Sequence, residues 1–460
     1  MKQQFSPLRR ALRLALPALL AAGAAQAQQQ PQACPRALPA QTRCYGGQDA
    51  HGAFYMTAIP QRWNGVLVVH SHGGPSLKMP TASTPVADLE RFAVVVREGF
   101  AWTSSSYRHA GYGVRDAAED TDSARTQFWK DFGRPRRTLL HGQSWGGNVA
   151  AKAAETYGRD AEGKLVYDGV LLTSGVLSGG SLAYDFRADL RAVYQYYCRN
   201  LPTPDEPQYP LWQGLAAQHP LGSKEVAARL ESCTGLSLAE AQRSPAQQRK
   251  LRNILAVTQI PQATLGAHLN WATATFRDLT LRAFKGLNPF SNIDVAYRGS
   301  DDDVALNREV PRFAASPEGV RALAQDSDLS GKLLVPTLTM HAIDDPTVFV
   351  EAETVFRESV AKAGSSGLLV QSFTDEHEHS KLATPQYAAL LHALMAWVEQ
   401  GQRPTPELLA ARCQQYVAAY GEACRFVPSY VPGPFDARTY RRTKPSPASS
   451  ASSALSASMP

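Results

Sequence analysis

The stretch LLHGQSWGGNVA places Ser144 between Gly142 and Gly146, directly after an apolar run and directly before a helix-like one. A serine hydroxyl is a weak nucleophile at neutral pH and becomes useful only when a base takes its proton and an acid orients that base. On a sharp strand-to-helix turn the hydroxyl would sit on strained backbone. The residues two before and two after it crowd one another unless they lack side chains. Gly142 and Gly146 supply that room. The helix start after the turn also aims amide dipoles at the place where negative charge would develop. Further along, AIDDPTV offers Asp344 and Asp345, and DEHEHSKL offers His377 and His379, each just beyond an apolar run. The order serine, acid, histidine is therefore available.

Such a constellation needs strands whose ends lie side by side. Six short apolar or β-branched runs read as buried strands: residues 65–70, 100–106, 138–142, 169–175, 333–341 and 368–374. Strands that alternate with helical patterns imply a mostly parallel sheet covered on both faces, hence an α/β fold. Between the fourth and fifth runs the pattern turns helical, with Pro and Gly breaks, which predicts a mainly helical lid inserted over residues 181–330. Its aromatics Tyr194, Tyr197, Trp212, Trp271 and Phe276 suit core packing of the lid or the lining of an apolar cleft. Asp301, Asp302 and Asp303 read as a solvated turn within it. After the last strand, Thr384-Pro385 opens a helix whose Tyr387, Leu390, Leu391, Leu394, Trp397 and Val398 share one apolar face.

These motifs resemble the α/β-hydrolase superfamily, whose serine members carry a nucleophile elbow, an acid after a later strand and a histidine after the last one. GQSWGG, HAIDDPTV and EHSKLATPQY stand in those three places, and the resemblance covers residues 45–402 apart from the lid. It implies Ser144 as nucleophile, a histidine as general base and acid, and a carboxylate that orients it. Asp345 is preferred to Asp344 because Pro346 biases it towards extended backbone and Val348 matches the family's apolar position. His379 is preferred to His377 because the family's histidine is commonly followed by a small residue, here Ser380. The oxyanion donors expected are the backbone N–H of Trp145 and one from the SHGGPS loop, Gly74 in preference to Gly73, since Pro75 has no N–H.

The resemblance leaves the leaving group open. The HGGP loop resembles that of proline-releasing aminopeptidases, whereas GQSWGG departs from their elbow, so an ester substrate, small or at a polymer end, is expected ahead of a peptide. A metal-dependent hydrolase is the alternative suggested by HSH and HEH, each with two histidines on one side of an extended segment, but it leaves the Ser144 turn unexplained. A non-catalytic binding protein of the same fold would typically lack one of the three residues. No cofactor is implied.

Residues 1–27 read as a removed export signal: Lys2, Arg9, Arg10 and Arg13 precede a short apolar stretch and Ala25-Gln26-Ala27 fits a cleavage site. Stable membrane insertion is not expected after its removal, and the net charge falls from +6 to about +2, which gives no electrostatic case for nucleic acid. In an exported chain, periplasmic or secreted, six cysteines without a CxxC spacing suggest disulfides. Proximity favours Cys34 with Cys44, Cys198 with Cys233, and Cys413 with Cys424. The organisation expected is thus signal (1–27), core (28–180), lid (181–330), core (331–402), extension (403–441) and a small, polar, low-complexity and hence disordered tail (442–460). Oligomeric state is left open.

Overall fold

The computed structural model describes Met1 and residues 30–445. The export signal expected over residues 1–27 lies, Met1 aside, outside them, as do residues 446–460 of the tail. Nine strands form one sheet: β1 (Gln30–Gln32), β2 (Arg43–Gln48), β3 (Phe54–Ile59), β4 (Val66–Ser71), β5 (Ala101–Ser105), β6 (Arg137–Gln143), β7 (Gly169–Thr173), β8 (Thr337–Ala342) and β9 (Leu369–Thr374). Their order is β1-β2-β3-β5-β4-β6-β7-β8-β9. Strands β5 to β9 and β4 pair in parallel, while β1, β2 and β3 add an antiparallel edge. All six strands read from the sequence are present.

The parallel strands β4 to β8 are buried along their lengths apart from Arg137 at the start of β6. That is the burial expected where helices cover both faces. On one face the helices Val114–Phe132 and Trp145–Tyr157 pack on Leu67, Val69, Leu140 and Leu172. On the other, the helix Thr384–Gln400 sets Tyr387, Leu390, Leu391, Leu394 and Trp397 against Val68, Leu139, Leu171 and Leu338. Proline near its start fits a position whose N–H has no helical acceptor.

Between β7 and β8 the chain runs through helices such as Asp185–Cys198, Ser223–Thr234, Pro245–Thr258 and Pro317–Ser327, with no strand among the described residues. This region buries a cluster of its own that includes Leu190, Val193, Leu230, Ile254, Leu265, Leu269 and Val295. Tyr194 and Phe276 are fully buried, while Tyr197, Trp212 and Trp271 remain partly open. The acidic run is not merely a solvated turn. Asp302 caps the helix Asp303–Glu309 by accepting from the Ala305 N–H, Asp301 accepts from Asn253 and Arg252, and Asp303 accepts from Ser300.

The three expected disulfides are formed, Cys34–Cys44, Cys198–Cys233 and Cys413–Cys424. Among the described residues no helix is long and apolar enough to cross a membrane. The tail does not begin at 442 as expected. Arg442 is buried, with Nη2 2.5 Å from Asp189 and Nε 3.3 Å from Asp185, and Lys444 reaches Asp185 at 2.7 Å. Its composition gives no hint of this, because the acidic partners lie about 250 residues earlier, on the first long helix of the lid.

Candidate active site

Ser144 stands where β6 gives way to the helix Trp145–Tyr157, with φ 59° and ψ −129°. That conformation is costly for a residue with a side chain and persists only where surroundings impose it. Here the Ser144 N–H donates to Thr173 O at 2.9 Å, and Ser144 O accepts from Gly147 N at 2.9 Å and Val176 N at 3.1 Å. A side chain on Gly142 would overlap the Gly146 carbonyl, and one on Gly146 would overlap the Ser71 and His72 carbonyls. The glycine spacing is therefore a packing requirement of the turn.

His379 lies in the loop between β9 and the helix Thr384–Gln400. Its Nε2 is 2.7 Å from Ser144 Oγ, and its Nδ1 is 2.7 and 2.9 Å from the two carboxylate oxygens of Asp345. Asp345 follows β8, and its Oδ1 also accepts the N–H groups of Thr347 at 2.8 Å and Val348 at 3.0 Å. Burial by itself would raise the Asp345 carboxyl. The His379 and His341 imidazoles and the Val348 N–H outweigh it and hold the group below the usual aspartate range. The fold is that of the α/β hydrolases.

The two residues not preferred by the sequence reading find each other instead. His377 Nδ1 is 2.8 Å from Asp344 Oδ2, and both side chains are largely exposed, 73% and 62%. Adjacent positions thus divide cleanly: one Asp–His pair is buried against the serine, the other is solvated.

Several supports carried no sequence signal. The histidine loop is pinned by Ser380, whose carbonyl accepts from Arg91 at 2.5 Å and from Gln143 at 3.2 Å, while Gln143 also donates to the Tyr387 hydroxyl at 2.8 Å. Ser380 has φ 61°, and its hydroxyl lies 3.1 Å from His379 Nε2. Beneath the acid, His341 is fully buried, with Nε2 3.7 Å from Asp345 and Nδ1 3.2 Å from Glu353. Burial opposes charge on this ring, yet Glu353 and Asp345 outweigh it and raise its pKa. A neutral Gln143 gives no clue to such a role, and the long-range partners of Arg91 and His341 cannot be read from spacing.

The SHGGPS loop runs beside the elbow. A Cβ on Gly73 would stand 4.0 Å from Ser144 Cβ, and one on Gly74 would stand 3.7 Å from the Trp145 ring. The loop is held by His72, whose Nδ1 is 2.7 Å from Asp88 and whose carbonyl accepts from the Tyr107 hydroxyl at 2.7 Å. His70 turns into the core, where its Nδ1 is 2.9 Å from His141 Nδ1. Burial, then Arg91, drives the His141 pKa down to about 3, so this pair is neutral. His377 and His379 of HEH likewise go to separate aspartates. Among the described residues, Asp49, His51 and Asp120 do come together near the antiparallel edge, but Asp120 is held by the Arg108 guanidinium at 2.6 Å.

No family model matches the chain. An o-phthalyl amidase of Xanthobacter agilis is 26% identical over 117 residues, which is 25% of this chain. The match spans only about a quarter, 24%, of that relative's length. Among solved structures, feruloyl esterase B of Aspergillus oryzae aligns over 79% of this chain and 81% of its own, at 16% identity and a TM-score of 0.42. The rice cell wall degrading esterase LipA of Xanthomonas oryzae aligns over 82% and 90%, at 14% identity and 0.39. Lipase A of Candida antarctica aligns over 79% and 78%, at 14% identity and 0.40.

Proposed function

We propose that this chain is an exported serine hydrolase that cleaves carboxylic esters through an acyl-enzyme on Ser144. The observation that carries this reading is the unbroken hydrogen-bonded line from the Ser144 hydroxyl through both nitrogens of His379 to Asp345. His379 Nε2 takes the Ser144 proton as the oxygen attacks the ester carbonyl, then returns it to the leaving alcohol. Water repeats the sequence on the acyl-enzyme. Asp345 fixes the ring with Nδ1 protonated and stabilises the cation that forms, and its lowered pKa keeps it ionised throughout. The Trp145 N–H at the helix start and the Gly74 N–H receive the developing oxyanion. The reaction calls for no cofactor, and the substrate is a small ester or a polymer end. Three disulfides support an exported location.

The test is covalent labelling with a serine-directed phosphonate, together with turnover of nitrophenyl esters of graded acyl length and of aminoacyl anilides. The reading expects a single adduct on Ser144 and turnover of esters. A folded chain that remains unlabelled and inert would sink it. An amide substrate is the second reading, supported by the partial likeness to an amidase and by the HGGP loop. Faster cleavage of anilides than of esters would replace the first reading with this one.

A further inference from the structure

His341, near the end of β8, is fully buried, and both of its ring nitrogens face groups that only accept hydrogen bonds. Nε2 lies 2.9 Å from the Val348 carbonyl and Nδ1 lies 3.2 Å from Glu353 Oε1. Neither a carbonyl oxygen nor a carboxylate can donate, so the ring satisfies both only with a proton on each nitrogen. The other buried histidines differ. His268 donates from Nε2 to the Pro346 carbonyl but accepts on Nδ1 from Arg187 Nε, and His70 and His141 share one contact between their Nδ1 atoms. Those rings are satisfied when neutral, whereas His341 is satisfied as the imidazolium.

Glu353 is placed to carry the opposite charge. It stands in the first turn of the helix Ala352–Lys362, where the helix dipole favours an anion, and its side chain is fully buried. Its Oε2 accepts from the Thr339 hydroxyl at 2.8 Å and from Gln371 Nε2 at 2.5 Å, so both carboxylate oxygens are held by donors. On the far side of the ring, His341 Nε2 is 3.7 Å from Asp345 Oδ2, the same oxygen that lies 2.7 Å from His379 Nδ1. Val348 clamps the two together, since its N–H donates to Asp345 Oδ1 while its carbonyl accepts from His341. The flanking strand ends offer Thr173 on β7 and Phe373 on β9, which do not ionise, and Asp344 turns outward to His377. From the helices between β7 and β8, Arg187 and His268 reach the Thr347 and Pro346 carbonyls of the same loop. The Arg187 charge is felt at Asp345, but of these two cations only His341 comes within ion-pair distance of it.

We propose that His341, held as an imidazolium by Glu353 and the Val348 carbonyl, is a positioning residue that acts on the reaction through Asp345. Its fixed charge keeps the Asp345 carboxylate ionised and leaves the shared oxygen less able to stabilise a second cation. His379 therefore stays neutral, and able to take the Ser144 proton, to lower pH than it would beside an isolated aspartate. The line from Ser144 through His379 and Asp345 is continued by His341 and Glu353, with charges that alternate along its buried half. The protons of His341 stay where they are, while the Ser144 proton passes to His379 Nε2 and on to the leaving alcohol. This rests on the serine-hydrolase reading for the role of His379, but the charge of His341 is measurable without turnover.

The first measurement is nitrogen NMR of histidine-labelled wild type, with His341 assigned by its nuclear Overhauser contact to Val348 or by its absence from His341→Gln. Both His341 nitrogens should carry protons at pH 7, and a neutral ring there overturns the proposal. The second follows kcat/KM for nitrophenyl acetate from pH 4 to pH 8 in wild type, His341→Gln and Glu353→Gln. Each substitution keeps hydrogen-bonding capacity and removes charge, and Glu353→Gln should leave His341 neutral at pH 7 in the same spectra, since a buried cation without its counter-charge gives up its proton. In both variants the acid limb of the profile should move upward by about half a pH unit or more. A merely structural role would lower the rate by one factor at every pH. That outcome, with the limb unmoved, overturns the proposal, and so does a downward movement. Should a variant fail to fold, as judged by its near-ultraviolet circular dichroism, the wild-type spectrum still decides the charge of His341. If wild type takes no phosphonate on Ser144 and cleaves no ester, the hydrolase reading falls. The pH at which His379 gains its second proton, followed by NMR in the same proteins, then decides alone: a rise in the variants upholds the role of His341, and no rise overturns it.

Discussion

The loop edge of the sheet and the lid above it handle polar groups in opposite ways. At the edge, Ser144 and Asp345 are fixed mostly by main-chain groups, Ser144 by Thr173, Gly147 and Val176 and Asp345 by the N–H groups of Thr347 and Val348, so their positions follow from local turns. In the lid, Arg187, Asp185, Asp189 and Arg442 are fixed by side chains reaching across distances of up to about 250 residues in sequence. Long-range charged contacts tie the helical region to segments far from it in sequence.

The largest expected effect tests the edge. Ser144→Ala should lower kcat by about 10⁴-fold or more while the thermal midpoint stays nearly unchanged. Asp345→Asn should cost about 10³- to 10⁴-fold, because the amide turns the imidazole to the wrong tautomer. Asp344→Asn, one residue away, should leave the rate within about twofold, since its partner His377 is solvated. Equal losses in the two asparagine variants would erase the distinction between the buried and the exposed pair.

The next effect tests the lid. Arg442→Met leaves Asp185 and Asp189 buried, the latter still held by the Tyr297 hydroxyl, and removal of one partner from such a group typically costs about 3–5 kcal/mol. Urea unfolding should show that loss mainly in the lid, read from a probe on Trp212 or Trp271. A variant as stable as wild type would mean that the C-terminal segment does not hold the lid.

A smaller effect tests both regions together. His141 in the core and His268 in the lid each fall to about 3, from an ordinary value of 6.5, because burial disfavours their charged forms. The unfolded chain therefore binds protons that the native chain refuses between about pH 6.5 and pH 3. Stability should decline as pH falls through that window, by up to about 1.4 kcal/mol per pH unit for each ring. Asp345, with its pKa depressed, adds stability that is lost only at still lower pH, as its carboxylate is protonated. His341 has the opposite sign: its pKa is raised, and its contribution is present below the ordinary histidine value and lost as pH rises above it. Denaturant midpoints at pH 7, 6 and 5 check this, and a flat series would contradict it. The smallest effect is that of His377→Ala, which should change turnover less than twofold.

How much could be read in advance follows the same division. The Gly142 and Gly146 spacing is legible because two backbones cross there and nothing larger fits. The order of Ser144, Asp345 and His379 is legible because each ends a strand of recognisable pattern. The antiparallel strands β1 to β3 were missed: β2 carries two glycines and β1 is Gln-Pro-Gln, neither of which alternates. Arg187 and Arg442 were missed for a different reason. An arginine looks the same in sequence whether it is solvated or buried, and only the fold brings Thr347 or Asp189 beside it. Gln143 is the intermediate case, adjacent to Ser144 yet of a type that suggests nothing until Ser380 and Tyr387 arrive.

The three disulfides close loops of 10, 35 and 11 residues, one at the antiparallel edge, one within the lid and one in the C-terminal extension. None ties the lid to the sheet. Oxidation therefore hardens each piece separately and leaves the helical region between β7 and β8 uncrosslinked to the sheet. It follows that a reductant would soften the parts one by one, whereas acid, by protonating the buried carboxylates that hold Arg442, would loosen the helical region from the C-terminal segment.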